Sequence, residues 1–247
     1  MTIGSDSDLA AMQRVGALVA RTIAHMRAEL RPGLTTAELD ASAARFARAA
    51  GARSAPQLTY DFPGFTCISV NDEIVHGIPG PRKLQPGDVV KLDVTLELDG
   101  YMGDSAVTAI VPPVSDEARR LQRAVRIAFN RGLDAARPGV RLADVGRAVE
   151  SAARREGVVV LRELVGHGIG RRLHEEPSVP NWADPGARQV LHEGLVIALE
   201  PMVATSAARV VEEADGWTLR THNRVLAAHH EHTIVIRRGA PLVLTAA

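Results

Sequence analysis

One stretch of this chain is written twice. Arg31-Pro32-Gly33-Leu34, followed by Glu38-Leu39, returns as Arg137-Pro138-Gly139-Val140, followed by Asp144-Val145, 106 residues later. Gly87-Asp88-Val89-Val90-Lys91-Leu92-Asp93 returns as Gly194-Leu195-Val196-Ile197-Ala198-Leu199-Glu200, 107 residues later. Either match alone would be unremarkable; two at nearly one offset predict a duplicated unit. Each copy reads as two helices and then a strand whose apolar run ends in a carboxylate. Two such halves around one central antiparallel sheet predict an α+β fold with pseudo-twofold symmetry. No low-complexity linker separates the copies, so residues 7–247 are expected to form one domain behind a loose tail at 1–6.

Local signals fill in the elements. Leu9, Met12, Val15, Val19, Ile23 and Met26 stand near helical spacing, which predicts a helix over 7–30 that Pro32-Gly33 ends. Thr35-Thr36-Ala37-Glu38 is a capping-box pattern at the start of a second helix running to about Ala50. Residues 56–81 read as short strands and loops. Strands are predicted at 88–98 and 101–111 with Asp99-Gly100 as a two-residue hairpin turn. After Pro112-Pro113 a long helix starts at Ser115.

The hairpin carries the first chemistry. With Asp99-Gly100 as the turn, Leu98 faces Tyr101 and Thr95 faces Asp104. Asp93 lies two residues from Thr95 on the same face, so Asp93 and Asp104 are diagonal neighbours within reach of a shared object. Val90, Leu92, Val94, Leu96 and Leu98 bury the other face. Two carboxylates inside a sheet are costly unless something positive lies between them. Glu200 is the repeat's partner of Asp93. Glu231, before the strand-like His232-Thr233-Ile234-Val235-Ile236, is the counterpart of Asp104. Four converging acids call for cations, and two divalent ions would neutralise them. His167, in Gly166-His167-Gly168-Ile169-Gly170, adds an imidazole to the oxygen donors, a set suited to Mn, Fe, Co or Zn. Its flanking glycines admit close backbone approach.

Other classes are disfavoured. The chain has 29 basic and 29 acidic residues and no net charge, which gives no long-range attraction to nucleic acid or an anionic membrane. Lys83 and Lys91 are the only lysines, and the arginine excess is read as codon bias. The single cysteine, Cys67, allows no internal disulfide and reads as a small buried hydrophobe in a cytoplasmic protein. No signal peptide or membrane span is visible. HExxH, GxSxG and CxxC are missing, and the glycines around His167 lack the Lys-Ser/Thr of a phosphate loop.

Together, FTCISVNDEIVHGIPG (65–80), GDVVKLDVTLELDGYMGD (87–104), VGHGIGRRLHEEPSVPNW (165–182), GLVIALEPMV (194–203) and EHTIVI (231–236) resemble the type I methionine aminopeptidases, metallopeptidases of the pita-bread (creatinase/aminopeptidase) fold. The resemblance covers nearly the whole chain. It implies metal ligands at Asp93, Asp104, His167, Glu200 and Glu231 for two divalent cations (Co, Mn, Fe, Zn or Ni). It implies substrate-handling histidines at His76 and His174, and a methionine pocket lined by Phe62, Cys67 and Trp217. The short step from His174 to Glu200 lacks the insertion of type II. Three positions depart from the family pattern: His229 stands where glutamine is common, Val75 where cysteine is common, and Thr59 where a pocket tyrosine is common.

The resemblance further implies removal of N-terminal methionine before a small second residue. Glu200 would act as the proton acceptor, His174 would serve the oxyanion, and His76 would sit near the scissile amide. Its expected partners are nascent polypeptide N-termini, met at the ribosome, with no nucleic acid or membrane; a monomer is expected. Two alternatives stand beside it: an Xaa-Pro peptidase of the same fold, against which NDEIVHGIPG weighs, and a non-catalytic peptide-binding relative, which would be expected to lose ligands.

Overall fold

The computed structural model describes residues 1–246. Helix α1 (Asp6–Glu29) is capped by Ser5, whose hydroxyl accepts from the Asp8 N–H, and it buries Met12, Val15, Val19, Ile23 and Met26. Helix α2 (Thr36–Ala49) opens with the expected capping box: Thr35 accepts from Glu38 N–H, and the Glu38 carboxylate accepts from Thr35 N–H. The first half continues with β1 (Arg53–Ser54), the short α3 (Ala55–Tyr60), β2 (Cys67–Val70), β3 (Glu73–Val75) and the hairpin β4 (Val89–Leu98) and β5 (Tyr101–Ile110). The second half holds α4 (Asp116–Ala135), α5 (Leu142–Arg155), β6 (Val159–Val160), β7 (Val165–Gly168), β8 (Glu175–Pro180) and β9 (Val196–Leu199). It closes with β10 (Met202–Ala204), β11 (Val210–Glu212), β12 (Leu219–Thr221), β13 (Ala227–His229), β14 (His232–Val235) and β15 (Leu242–Val243).

The written repeat is a structural repeat down to its hydrogen bonds. Gly33 N–H donates to Leu84 O at 2.8 Å, and Gly139 N–H donates to Leu191 O at 2.8 Å. Leu84 N–H returns to Leu34 O, as Leu191 N–H returns to Val140 O. Isolated bridges join Thr35 to Lys83 and Arg141 to Val190. Gly33 and Gly139 have φ of +84° and +88°, a backbone region open to glycine at little cost. The same turn therefore pins the start of the second helix of each pair to the segment leading into β4 or β9.

Each helix pair covers one hydrophobic core. Leu18 and Leu39 from α1 and α2 pack on Val90, Leu92, Val94 and Leu96 of β4. Phe129 and Val145 from α4 and α5 pack on Ile197 and Leu199 of β9. Each such fully buried aliphatic side chain contributes roughly 2 kcal/mol relative to exposure. The helices thus occupy one face of the strands, and the opposite face is left for polar groups. All strand pairings are antiparallel. They form four hydrogen-bonded sheets; the larger two are β15-β14-β9-β7-β8 and the β1-β4-β2 set with β5 on β4. The two are stitched where β5 meets β14. Glu231 N–H donates to Ala106 O, Asp104 N–H to Thr233 Oγ1, and Ser105 Oγ to Glu231 O. That seam runs through two of the four candidate acids.

Residues 1–6 are not a loose tail. The Met1 ammonium pairs with Glu175 and donates to Ile169 O at 2.9 Å, and Ile3 N–H donates to Gly194 O. The polar sequence Gly4-Ser5-Asp6 reads as a tail, but it is a helix cap, and backbone pairing to β9's lead-in fixes what precedes it. Among the described residues, no helix is long and apolar enough to cross a membrane.

Candidate metal centre

The hairpin adopts the expected register, with Leu98 opposite Tyr101, Thr95 opposite Asp104 and Asp93 opposite Ala106. Asp99 and Gly100 both have positive φ, +53° and +79°, as a tight two-residue turn demands. Asp93 and Asp104 therefore share the face that points away from the helices. Thr95 Oγ1 donates to Asp104 Oδ1 at 2.8 Å and orients that carboxylate. Glu200 follows β9 directly and Glu231 precedes β14. Because Leu199 pairs with His232, the two glutamates emerge side by side. His167 lies on β7, between β8 and β9. A Cβ on Gly166 would stand 2.4 Å from Ala198 O and one on Gly168 would stand 2.2 Å from Glu176 O, so only glycines let β7 sit this close to its neighbours.

These side chains meet at one point. His167 Nε2 is 3.4 Å from Glu200 Oε1 and 3.9 Å from Asp104 Oδ2. Its Nδ1 lies 2.8 Å from Gly168 O; the carbonyl can only accept, so Nδ1 carries the hydrogen and the Nε2 lone pair faces the acids. Asp104, His167 and Glu231 place donor atoms close enough to share one ion, as do Glu200, His229 and Glu231. Burial, reinforced by the neighbouring carboxylates, pushes Asp93, Glu200 and Glu231 well above the usual carboxylate range. Burial raises Asp104 to about 7, against the hydrogen bond from Thr95. Desolvation likewise lowers His167 to about 4 and His229 to about 3, so both imidazoles are neutral.

A cavity of about 340 Å³ opens above the acids. Phe62 and Trp217 form one wall, ring against ring at 5.2 Å in an edge-to-face pair. Cys67 and Val75 also line it. Burial and the nearby Asp93 and Asp104 raise the Cys67 thiol well above its ordinary value, which suits it to packing and not to attack. His76 and His174 stand at the rim, both solvent-accessible. The structure thus gathers all the expected metal, catalytic and pocket residues around one cavity.

One position differs from expectation, and several groups were not foreseen. Thr59 does not line the cavity; Tyr60 does. Tyr60 ends α3, just before the left-handed C-cap Asp61, so the tyrosine stands one residue further along the chain. Its hydroxyl lies 2.5 Å from His174 Nδ1. Asn181 Nδ2 holds Glu200 O at 3.1 Å, a contact no local pattern announces. Lys91, attributed above to composition, is fully buried two residues before Asp93 and donates from Nζ to Asn71 O at 2.7 Å.

The donor set accepts divalent cations. Glu200 Oε1, Glu231 Oε1 and both ring nitrogens of His229 are buried with no hydrogen-bond partner, a costly state that a bound cation relieves. Oxygen and imidazole donors together suit first-row divalent metals. A duplicated helix-pair-and-hairpin fold that gathers acids and imidazoles beneath an apolar cleft defines a metal-dependent enzyme of pita-bread architecture. The chain belongs to metallopeptidase family M24, whose pattern matches residues 10–238. It is 40% identical to methionine aminopeptidase 2 of Bacillus subtilis over 99% of each chain. The crystal structure of methionine aminopeptidase from Thermotoga maritima superposes with a TM-score of 0.95 at 35% identity, covering both chains completely. Prolidase from Pyrococcus furiosus shares the fold at a TM-score of 0.79 and 19% identity, and this chain spans 66% of it.

Proposed function

We propose that this chain removes N-terminal methionine from polypeptides whose second residue is small, using two divalent cations held by Asp93, Asp104, His167, Glu200 and Glu231. The observation that carries the reading is the junction of two environments: buried, unpartnered acid oxygens at the floor and an apolar aromatic slot beside them. The full-length similarity to methionine aminopeptidases supports it. When bound, such cations lower the pKa of water toward about 7 and polarise a peptide carbonyl.

The protein's own groups do the rest. Phe62, Trp217 and Cys67 take the methionine side chain, since a flexible thioether packs well on aromatic edges. Glu200 accepts the proton of the attacking water. Tyr60 Oη lies 2.5 Å from His174 Nδ1; with the tyrosine O–H as donor, the hydrogen of that imidazole would reside on Nε2, from which it would be donated to the developing oxyanion. His76, held at φ +58° at the cavity rim, faces the second residue and crowds out large ones. The substrates are nascent N-termini, met by a monomer at the ribosome in the cytoplasm. Co, Mn, Fe, Zn and Ni all suit the donors, and availability decides among them.

An Xaa-Pro peptidase on this fold is the competing reading. Two peptide panels, Met-X-Ser and Y-Pro-Ser, separate the two. Rapid cleavage of Met-Ala and Met-Gly with little cleavage of Met-Lys or Met-Leu is the expected result. Efficient release of Arg or Ala before Pro, without preference for Met, would overturn the assignment. Loss of activity in chelator, with recovery on adding Mn, Co or Fe, is expected in either case.

A further inference from the structure

His229 occupies a position where the resembling family commonly has glutamine, and glutamine is a poor metal ligand. Its side chain is only 2% exposed. Neither ring nitrogen has a hydrogen-bond partner. The Nε2 atom points at the acids, 3.5 Å from Glu231 Oε2 and 3.9 Å from Glu200 Oε2. A charge-assisted hydrogen bond would bring these atoms to about 2.7–2.9 Å. The observed spacing is instead that of two donors on one ion: with bonds near 2.1 Å, the edge of a tetrahedral shell is about 3.4 Å.

His167 supplies an internal standard. Its Nε2 stands 3.4 Å from Glu200 Oε1 and 3.9 Å from Asp104 Oδ2. His229 repeats that pair of distances on the other side of the same glutamate. Glu200 turns Oε1 to His167 and Oε2 to His229, and Glu231 belongs to both trios, Asp104-His167-Glu231 and Glu200-His229-Glu231. The strands explain the placement. His229 ends β13, paired with Met202 just beyond Glu200, and its backbone is locked to β5, where His229 N–H donates to Thr108 Oγ1 and Thr108 Oγ1 to His229 O.

We propose that His229 is a sixth protein ligand, so that each of the two donor clusters, Asp104-His167-Glu231 and Glu200-His229-Glu231, would hold a cation with one imidazole. This rests on the two-cation reading above. It makes the second position softer than an all-oxygen site and favours cobalt, nickel or zinc over manganese there.

The test loads the metal-free protein with two equivalents of Co(II) and counts imidazoles by X-ray absorption, alongside His229→Gln and His167→Gln. On the proposal the native protein shows one imidazole per cobalt and each variant half that. The weaker cobalt equivalent of His229→Gln loses at least about 10-fold in affinity, since even an outer partner of a ligand is worth about 10–100-fold. Circular dichroism of the metal-free variant controls for folding, and glutamine is near histidine in size. A native protein with half an imidazole per cobalt and a spectrum unchanged in His229→Gln would overturn the ligand role while leaving two bound ions. A native protein that binds no second equivalent would overturn the two-cation reading and this proposal together.

Discussion

At the scale of single residues, the chemistry depends on which atom of each imidazole carries the hydrogen. The Gly168 carbonyl settles this for His167, and the Tyr60 hydroxyl is the partner against which Nδ1 of His174 is set. The two rings lie 4.2 Å apart, and partial burial lowers the pKa of His174, so the neutral donor form dominates near pH 7. His174→Ala should lower kcat by about 10²–10³-fold with little change in KM, the usual cost of one oxyanion donor. Tyr60→Phe leaves the ring but frees its tautomer; a hydrogen bond worth about 0.5–1.5 kcal/mol corresponds to a loss of roughly 2–10-fold in kcat. Steady-state kinetics on Met-Ala-Ser check both. A rise in KM alone for His174→Ala would make the residue a binding group. Of the five ligands expected from sequence, strand alternation and one turn place Asp93 and Asp104, the repeat adds Glu200 and Glu231, and His167 stands out only beside those four acids. Tyr60 could not be found, because it sits at the last turn of a six-residue helix whose short pattern does not say which face meets the cavity. Neither could the environment of Lys91, since nothing in an apolar strand says that both of its faces are covered.

At the scale of elements, the site is a problem of backbone proximity. Strand β7 must lie between β8 and β9 closely enough for His167 to reach Glu200. The glycine pattern around His167 announces this in the sequence, and the structure gives its size, since Gly166→Ala would drive a Cβ to 2.4 Å from Ala198 O. Backbone cannot yield as a side chain tip can, so the strand must shift. Gly166→Ala should destabilise the protein by about 1–3 kcal/mol in urea unfolding and weaken metal binding by calorimetry; unaltered values for both would mean β7 has room to spare. Lys91 poses the same question of space. Its Nζ ties the turn before β3 to β4 beside Asp93, within a fully buried slot. A guanidinium is larger than the ammonium this slot holds. Lys91→Arg should cost about 1–3 kcal/mol by overpacking, seen in the same urea titration. The repeat made the pairing of helices and strands legible, whereas the thirty residues between Glu200 and Glu231 have no counterpart in the first half and could be read only as a longer connection.

At the scale of the whole molecule, the centre sets how stability responds to pH. Asp93, Glu200 and Glu231 have carboxyls raised well above the ordinary range, and Asp104 is raised to about 7. In the metal-free protein the folded state therefore holds protons that the unfolded chain releases near pH 4, and stability falls as pH rises through that window. Buried histidines act in the opposite sense. His76, His167 and His232 are lowered to about 4, His229 and His230 to about 3, and His174 is lowered as well, so each favours the folded state increasingly as pH rises toward the unfolded value near 6.5. Between pH 5 and 6.5 the six histidines outnumber the four acids, and the net is a modest gain of stability with pH. Above pH 7 the histidines are spent, and only Lys91, lowered to about 7, still gains stability with pH. The acids raised well above the carboxylate range act against it. The melting temperature of the metal-free protein should rise modestly from pH 5 to 6.5 and then turn downward above pH 7. Divalent cations should invert the trend, because the ligands must lose their protons to bind and rising pH then favours the bound, folded form. Melting curves in chelator and in excess Mn(II) across this range measure both slopes. A metal-free protein that grows steadily more stable from pH 7 to 9 would mean that the four acids are already ionised, and that a cation contributed by the chain itself neutralises them.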